Sequence, residues 1–397
     1  MFVERPPALR SLYIENYRSL RDVSVQLGPI NVLVGPNAAG KSNLLDVLAF
    51  LGHAAGSDLQ PALERRGGFD RVRFRGRPKG KGFITIGVEA QLTTFSSEGA
   101  LDEYTLSFGI RRGGIERTEE FWFKRTEGRG RRIGLAGSKL EVEDQGRESR
   151  SQEVDSSVLG LALIQRLGRD AGRDQVIELT DALESFRVFE VDVPAARLPA
   201  KRVAGQRLAN DASNLASFLV DLAEADADVW AELVSDARHL VPGLENIQLV
   251  PVGGSAKGVV VELEERGLSG TTALAEASFG TVRALALLAL LYDPDPPRIT
   301  CIEEIDHGLH PYALDRIVDL LREASSRTQF VIATHSPVFV NRLRADELIV
   351  CERDVATGAS RIPAIPSDQV KAMEAEDENE LALGELWFSG VLGGVPT

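Results

Sequence analysis

Apolar and polar positions alternate along this chain with two different periods. The opening stretches "SLYIENYRSL", "VSVQLG" and "INVLVG" carry alternating or continuous apolar runs of strand length and predict three short strands. The spacing then changes. In "KSNLLDVLAFL" the apolar residues fall at 44, 45, 47, 48 and 51, a helical period, with Gly52 as the predicted stop. From Phe83 to Arg125, "FITIGVEAQL", "YTLSFGIRR" and "EEFWFKR" alternate again and predict an antiparallel meander. The span 126–157 is polar and rich in Gly, Ser and charge, which predicts that it contains a mobile loop.

Helical patterning dominates from there to about Leu240, notably in "NLASFLVDLAEADADVWAELVSDARHL". "IQLVPVGG" and "GVVVELEERG" predict a hairpin, and "ASFGTVRALALLALLY", apolar all round, predicts a buried helix. "RITCIEE", "YALDRIVDLLREA" and "QFVIATHS" read as strand, helix, strand, and "ELIVCERD" as one more strand. No internal repeat is visible. A chain of 397 residues has room for two or three domains. The pattern divides it into an N-terminal lobe with the meander (1–150), a helical insertion (151–243) and a C-terminal lobe (244–397).

Composition narrows the class. No apolar run is long enough to span a bilayer, and "MFVERPPALRSLYIENY" lacks a basic-then-apolar export signal, so a cytoplasmic, membrane-free protein is expected. Cys301 and Cys351 both sit in apolar, strand-like runs, which suits buried thiols better than a disulfide or a zinc site. The net charge of −14 argues against a surface that coats nucleic acid. The charge is uneven, however. Between Pro61 and Lys81 eight basic residues (Arg65, Arg66, Arg71, Arg73, Arg75, Arg77, Lys79, Lys81) face two acidic ones, while "MEAEDENE" near the end is strongly acidic.

The chemistry begins at "GPNAAGKS". Gly35, Pro36, Asn37, Ala38, Ala39, Gly40, Lys41 and Ser42 spell GxxxxGKS between an apolar strand and an amphipathic helix. Glycines let the backbone wrap phosphates, and loop amides with a helix N-terminus favour negative charge. Lys41 would reach the β- and γ-phosphates of ATP, and the Ser42 hydroxyl would ligate Mg²⁺. A second stretch, "RITCIEEIDHGLHP", puts Glu303 and Glu304 side by side after an apolar strand. Adjacent carboxylates there need a positive partner. The magnesium of bound MgATP supplies one: Glu303 would bind it, directly or through water, and Glu304 would polarise the attacking water.

The chain resembles the ABC-type ATPase heads of the RecF, SMC and OLD-like proteins, and within them the standalone AAA-type core ATPases. The motifs carrying the likeness are "IENYRSL", "GPNAAGKSNLLD", "SFGTVRALALLALL", "IEEIDHGLHP" and "ATHSP", in that order. The resemblance implies an α/β fold, a P-loop NTPase of the ABC-ATPase head type with an antiparallel β lobe and a helical insertion. It further implies that Ser278 and Gly280 match the signature segment, which meets the γ-phosphate held by a second subunit. Asp306 matches an aspartate at the dimer seam, and His335 a switch histidine that senses the γ-phosphate. Asn43 and Arg18 fall beside the nucleotide. Lys41, Glu304 and His335 are then the candidate catalytic side chains. Phe279 stands where the signature has glycine, and Gln60 matches the Q-loop glutamine by position only.

The expected function is an ATPase whose ATP-bound homodimer acts on DNA in repair, genome maintenance or phage defence, with the basic strip meeting DNA phosphates. The alternative is a regulatory ATPase that binds a separate effector protein. Only about sixty residues follow His335, without a Glu…Asp-x-Asp pattern, so intrinsic nuclease activity is not expected.

Overall fold

The computed structural model describes residues 8–111, 114–124, 130–144, 149–253, 258–376 and 381–393. A five-stranded parallel sheet runs through its centre in the order Arg187–Phe189, Ile299–Glu303, Gln329–Ala333, Ile30–Val34, Leu348–Val350. Its strands are continuous apolar runs because both faces are covered. Successive residues go to opposite sides: Val32 and Val34 enter one core and Leu33 the other, as Ile332 and Val331 do on the neighbouring strand.

On one face lie the helices Leu215–Ala225, Ala227–Leu240, Phe279–Leu291 and Ala313–Ala324. On the other lie the helices Lys41–Ser57 and Arg173–Glu184, under an eight-stranded antiparallel sheet. Phe50 of the first helix packs between Tyr17 and Phe108 of that sheet, with ring centroids 5.7 and 5.6 Å away. A smaller sheet, built on the hairpin Leu244–Val252 and Gly258–Glu265, caps the helical side.

Four expectations are corrected or refined. The opening strand turns at Arg18, so Leu9–Tyr17 and Leu20–Gln26 form a hairpin. The helix does not stop at Gly52 but runs from Lys41 to Ser57. Gly52 sits where a Cβ would lie 3.0 Å from the Leu183 carbonyl oxygen, so it admits a neighbouring chain segment rather than ending the helix. The span expected to contain a loop also carries Arg131–Ala136, Lys139–Asp144 and Arg150–Glu153, which extend the antiparallel sheet; residues 126–129 and 145–148 lie outside the described residues. Ile133 faces Val142 and Leu135 faces Leu140, so alternate positions are apolar although the segment as a whole is polar. The stretch expected to be mainly helical also contributes Arg187–Phe189, an edge strand of the parallel sheet. Part of the acidic run, 377–380, is outside the described residues. No helix among the described residues is long and apolar enough to cross a membrane.

Candidate functional site

Three loops meet at the carboxyl ends of adjacent parallel strands, where open α/β sheets hold ligands. The loop after Ile30–Val34 is the glycine cradle. Gly35 (φ +146°) has the Cys351 carbonyl oxygen 2.1 Å from where a Cβ would stand, and Gly40 (φ +109°) has the Ser360 hydroxyl at 2.2 Å. Neither position admits a side chain. The helix that follows has no side-chain cap at Gly40, so its first amides remain available to an anion. Asn43 donates to the Ser19 hydroxyl at 2.7 Å, and Arg353 to the Ala38 carbonyl at 3.1 Å, pinning the cradle from both sides.

Lys41 is buried and donates to the carbonyls of Gly35 at 2.7 Å and Pro36 at 3.1 Å. Burial lowers its pKa, while Cys351, Glu303 and Glu304 act in the opposite direction. The Cys351 thiol is pushed up to about 12 by its own burial, so it is neutral.

The Ser42 hydroxyl stands beside the Glu303 carboxylate, close enough to lower its pKa. Residues more than 260 positions apart are thereby brought to one point. Burial raises the Glu303 pKa, with Glu190, Glu304 and Asp46 adding to the rise and Ser42 opposing it. A hydroxyl beside a half-buried carboxylate is a pair of hard oxygen donors, and it fits Mg²⁺ with phosphate and water completing the shell. Among the described residues no cluster of three His, Cys, Asp or Glu offers a self-sufficient metal site.

Glu304 is exposed, and its backbone is left-handed at φ +50°, a conformation costing about 1–2 kcal/mol in a non-glycine residue. Its amide donates to the Ala333 carbonyl at 2.8 Å. Asp306 accepts from the Thr334 hydroxyl. His335 follows Thr334, with its pKa lowered by burial and then by Lys41, against Glu304 and Asp306. Lys41, Glu303, Glu304, Asp306 and His335 therefore share one electrostatic neighbourhood.

Ser278 caps the helix Phe279–Leu291, accepting from the Thr281 amide at 3.1 Å, and is exposed. Gly280 and Gly308 meet backbone to backbone: a Cβ on Gly280 would lie 2.3 Å from the Gly308 carbonyl oxygen. Phe279, where the signature has glycine, lays its ring 5.1 Å from that of His307.

Arg18 (φ +48°) pairs with Asp46 at 2.9 Å and lines a 260 Å³ cavity beside the cradle with Ser19, Asn43, Phe74 and Arg353. Asp46 also accepts from Tyr17 and from Arg66. That removes Arg66 from the DNA-facing set: its side chain is only 6% exposed and is held internally. Lys79 pairs with Glu15 at 2.6 Å and Asp22 at 3.0 Å, and Arg73 with Asp70 at 3.0 Å. Arg65, Arg71, Arg75, Arg77 and Lys81 are exposed, with no acidic partner in ion-pair range among the described residues. Gln60 lies on the short helix Leu59–Glu64 with its amide on Glu64, away from the cradle's hydrogen bonds.

Three residues escaped sequence reasoning. Asp46 and Thr334 look like ordinary helix and strand-end residues. Arg283 carried a signal: it is the one charged residue in "ASFGTVRALALLALLY", yet it is 4% exposed and donates to the backbone carbonyls of Glu303 and Glu304.

A family model described as "AAA domain, putative AbiEii toxin, Type IV TA system" matches residues 30–341, which include the cradle, the acidic pair and His335. The chain belongs to this AAA-domain family. The AAA-domain chain also has the fold of SMC heads. It is similar to the Smc head bound to the C-winged helix domain of ScpA, at 16% identity and TM-score 0.54, over 91% of this chain and 99% of that one. It is similar too to an Smc head with an extended coiled coil, bound to the C-terminal domain of ScpA and derived from Pyrococcus furiosus. There the identity is 15% and the TM-score 0.51, over 93% and 99% of the chains. No curated protein matches the sequence.

Proposed function

We propose that this AAA-domain protein binds and hydrolyses ATP and engages a second copy of itself through the nucleotide. The observation that carries this reading is the approach of the Ser42 hydroxyl to the Glu303 carboxylate, which brings the glycine cradle to the acidic strand end. ATP phosphates take the amides of the cradle, and Lys41 leaves the Gly35 and Pro36 carbonyls for the β- and γ-phosphates. Ser42 and Glu303 hold Mg²⁺, which when bound neutralises developing phosphoryl charge. Glu304 orients the attacking water and accepts its proton. His335, kept neutral by burial and Lys41, donates to the γ-phosphate. Ser278, exposed at a helix N-terminus, closes the far side of the γ-phosphate held by the second copy.

DNA is the partner favoured by the charge left unpaired beside the nucleotide. Arg71 and Arg75 line the 260 Å³ cavity at the cradle, and Arg75 and Lys81 a 730 Å³ cavity next to it. A second reading, binding of a separate effector protein, is favoured by the toxin-system description of the family and by the net charge of −14. DNA binding at low salt with and without ATP separates them, and no binding in either state discards the DNA reading.

The ATPase reading is tested by two variants. Lys41→Ala loses nucleotide affinity by at least ~10-fold, the loss of one charge-assisted phosphate contact. Glu304→Gln binds ATP, hydrolyses it ~100-fold or more slowly, and accumulates as an ATP-bound dimer on a sizing column. Wild-type turnover in Glu304→Gln sinks the assignment.

A further inference from the structure

The buried arginine in an otherwise apolar helix needs a reason. Arg283 sits one turn into the helix Phe279–Leu291, five residues from Ser278 at its cap, and is 4% exposed. Burial lowers its pKa, against the pull of Glu304, Asp306 and Glu190. Its Nη2 donates to the backbone carbonyls of Glu303, at 3.2 Å, and of Glu304. Its Nε has no hydrogen-bond partner. A buried cation with an unused donor is expensive to retain for packing alone, since a leucine would fill the space.

The site it grips is the strained one. Glu304 is left-handed at φ +50°, with its amide tied to the Ala333 carbonyl on the next strand and its carbonyl tied to Arg283. The residue is thus held at both ends, which aims its exposed carboxylate away from the strand. The same helix touches the same loop twice more, through Gly280 against Gly308 and Phe279 against His307. The first contact leaves no room for a side chain at Gly280, because the two backbones meet directly.

We propose that Arg283 is a positioning residue for hydrolysis: from the signature helix it holds Glu304 in its left-handed turn, so that a second copy's nucleotide, on meeting Ser278, sets the carboxylate that acts within this copy. This rests on the ATPase reading for its rate consequence, but the grip itself does not. Ser278 and Glu304 are then linked through one helix and one guanidinium, which makes hydrolysis responsive to engagement.

The test uses Arg283→Met, close in volume and uncharged, and Arg283→Lys, which keeps a donor. Hydrogen exchange of the Glu304 amide in the nucleotide-free protein reads the grip directly. We expect exchange at least tenfold faster in Arg283→Met, with Ile302 and Val331 unchanged and a smaller rise in Arg283→Lys. In turnover assays Arg283→Met lowers kcat at least tenfold while ATP affinity stays within twofold, and Arg283→Lys recovers part of the rate. In a Glu304→Gln background, Arg283→Met lowers the residual rate by less than twofold, because the group it positions is already gone. Unchanged exchange at Glu304, or the same fold-loss in both backgrounds, overturns the proposal. Faster exchange in a protein whose wild type makes no ADP instead leaves the grip standing and removes the ATPase reading.

Discussion

Glu303 is a carboxylate that the ligand-free fold does not favour. Burial raises its pKa above the usual 4.5, so the folded state takes its proton more readily than the unfolded chain does. The stability this contributes is complete below about pH 4.5 and is lost as pH rises through the higher folded value. At neutral pH, therefore, the half-buried carboxylate is a liability until a cation arrives. Glu303→Gln is expected to raise the melting temperature of the nucleotide-free protein in chelator at pH 7, and to flatten its pH dependence between pH 4.5 and 7. The same variant weakens Mg-dependent nucleotide binding, measured by titration with and without the metal. A melting temperature lower than wild type in chelator would show that the Ser42 contact outweighs the burial. The position and type of this residue and its approach to Ser42 through a shared magnesium ion were legible in the sequence; its half-burial was not.

At the scale of elements, the glycines mark where segments touch. Gly52 was read as a stop because glycine often follows a helix, whereas here it lies mid-helix against the carbonyls of Leu183 and Phe186, at 3.0 and 3.2 Å from an added Cβ. Alanine normally gains about 1 kcal/mol over glycine inside a helix. In this helix Gly52→Ala is expected to gain nothing, and Gly52→Val to lose about 2 kcal/mol through overpacking, both read by urea unfolding. A stabilised Gly52→Ala would mean that the helix Arg173–Glu184 gives way easily. The meander's later strands were missed for a related reason. Ile133, Leu135, Leu140 and Val142 are buried, but their polar and charged neighbours hide a period of two in short strands. The long alternations earlier in the sheet, and the apolar runs of the parallel strands, were readable because every second or every residue is apolar.

Across the whole molecule, the buried Gln329 side chain ties the two large sheets together at one end. Gln329 opens a central parallel strand, accepts from the Leu9 amide at 2.8 Å, and donates to the carbonyls of Leu9 at 2.8 Å and Gly28 at 2.7 Å. Gln329→Leu takes this partner from the Leu9 amide and carbonyl, while the Gly28 carbonyl keeps Asn31 at 2.8 Å, and is expected to lower stability by about 2 kcal/mol. Chemical unfolding measures the loss; a loss near zero would mean that water replaces the amide. Nothing near Gln329 in the chain announces this role. Conversely, the cradle, the acidic pair, the histidine after its strand and the order of these motifs could all be read directly. Each is set by contiguous residues, whose φ preferences and strand or helix periods act over a few positions. The partners of charges could not be read that way. Only folding decided that Arg66 and Lys79 would answer internal carboxylates while Arg75 and Lys81 stayed exposed, and that Arg283 would reach Glu304. Those pairings depend on distances between residues far apart in the chain, and such distances exist only once the sheets have packed.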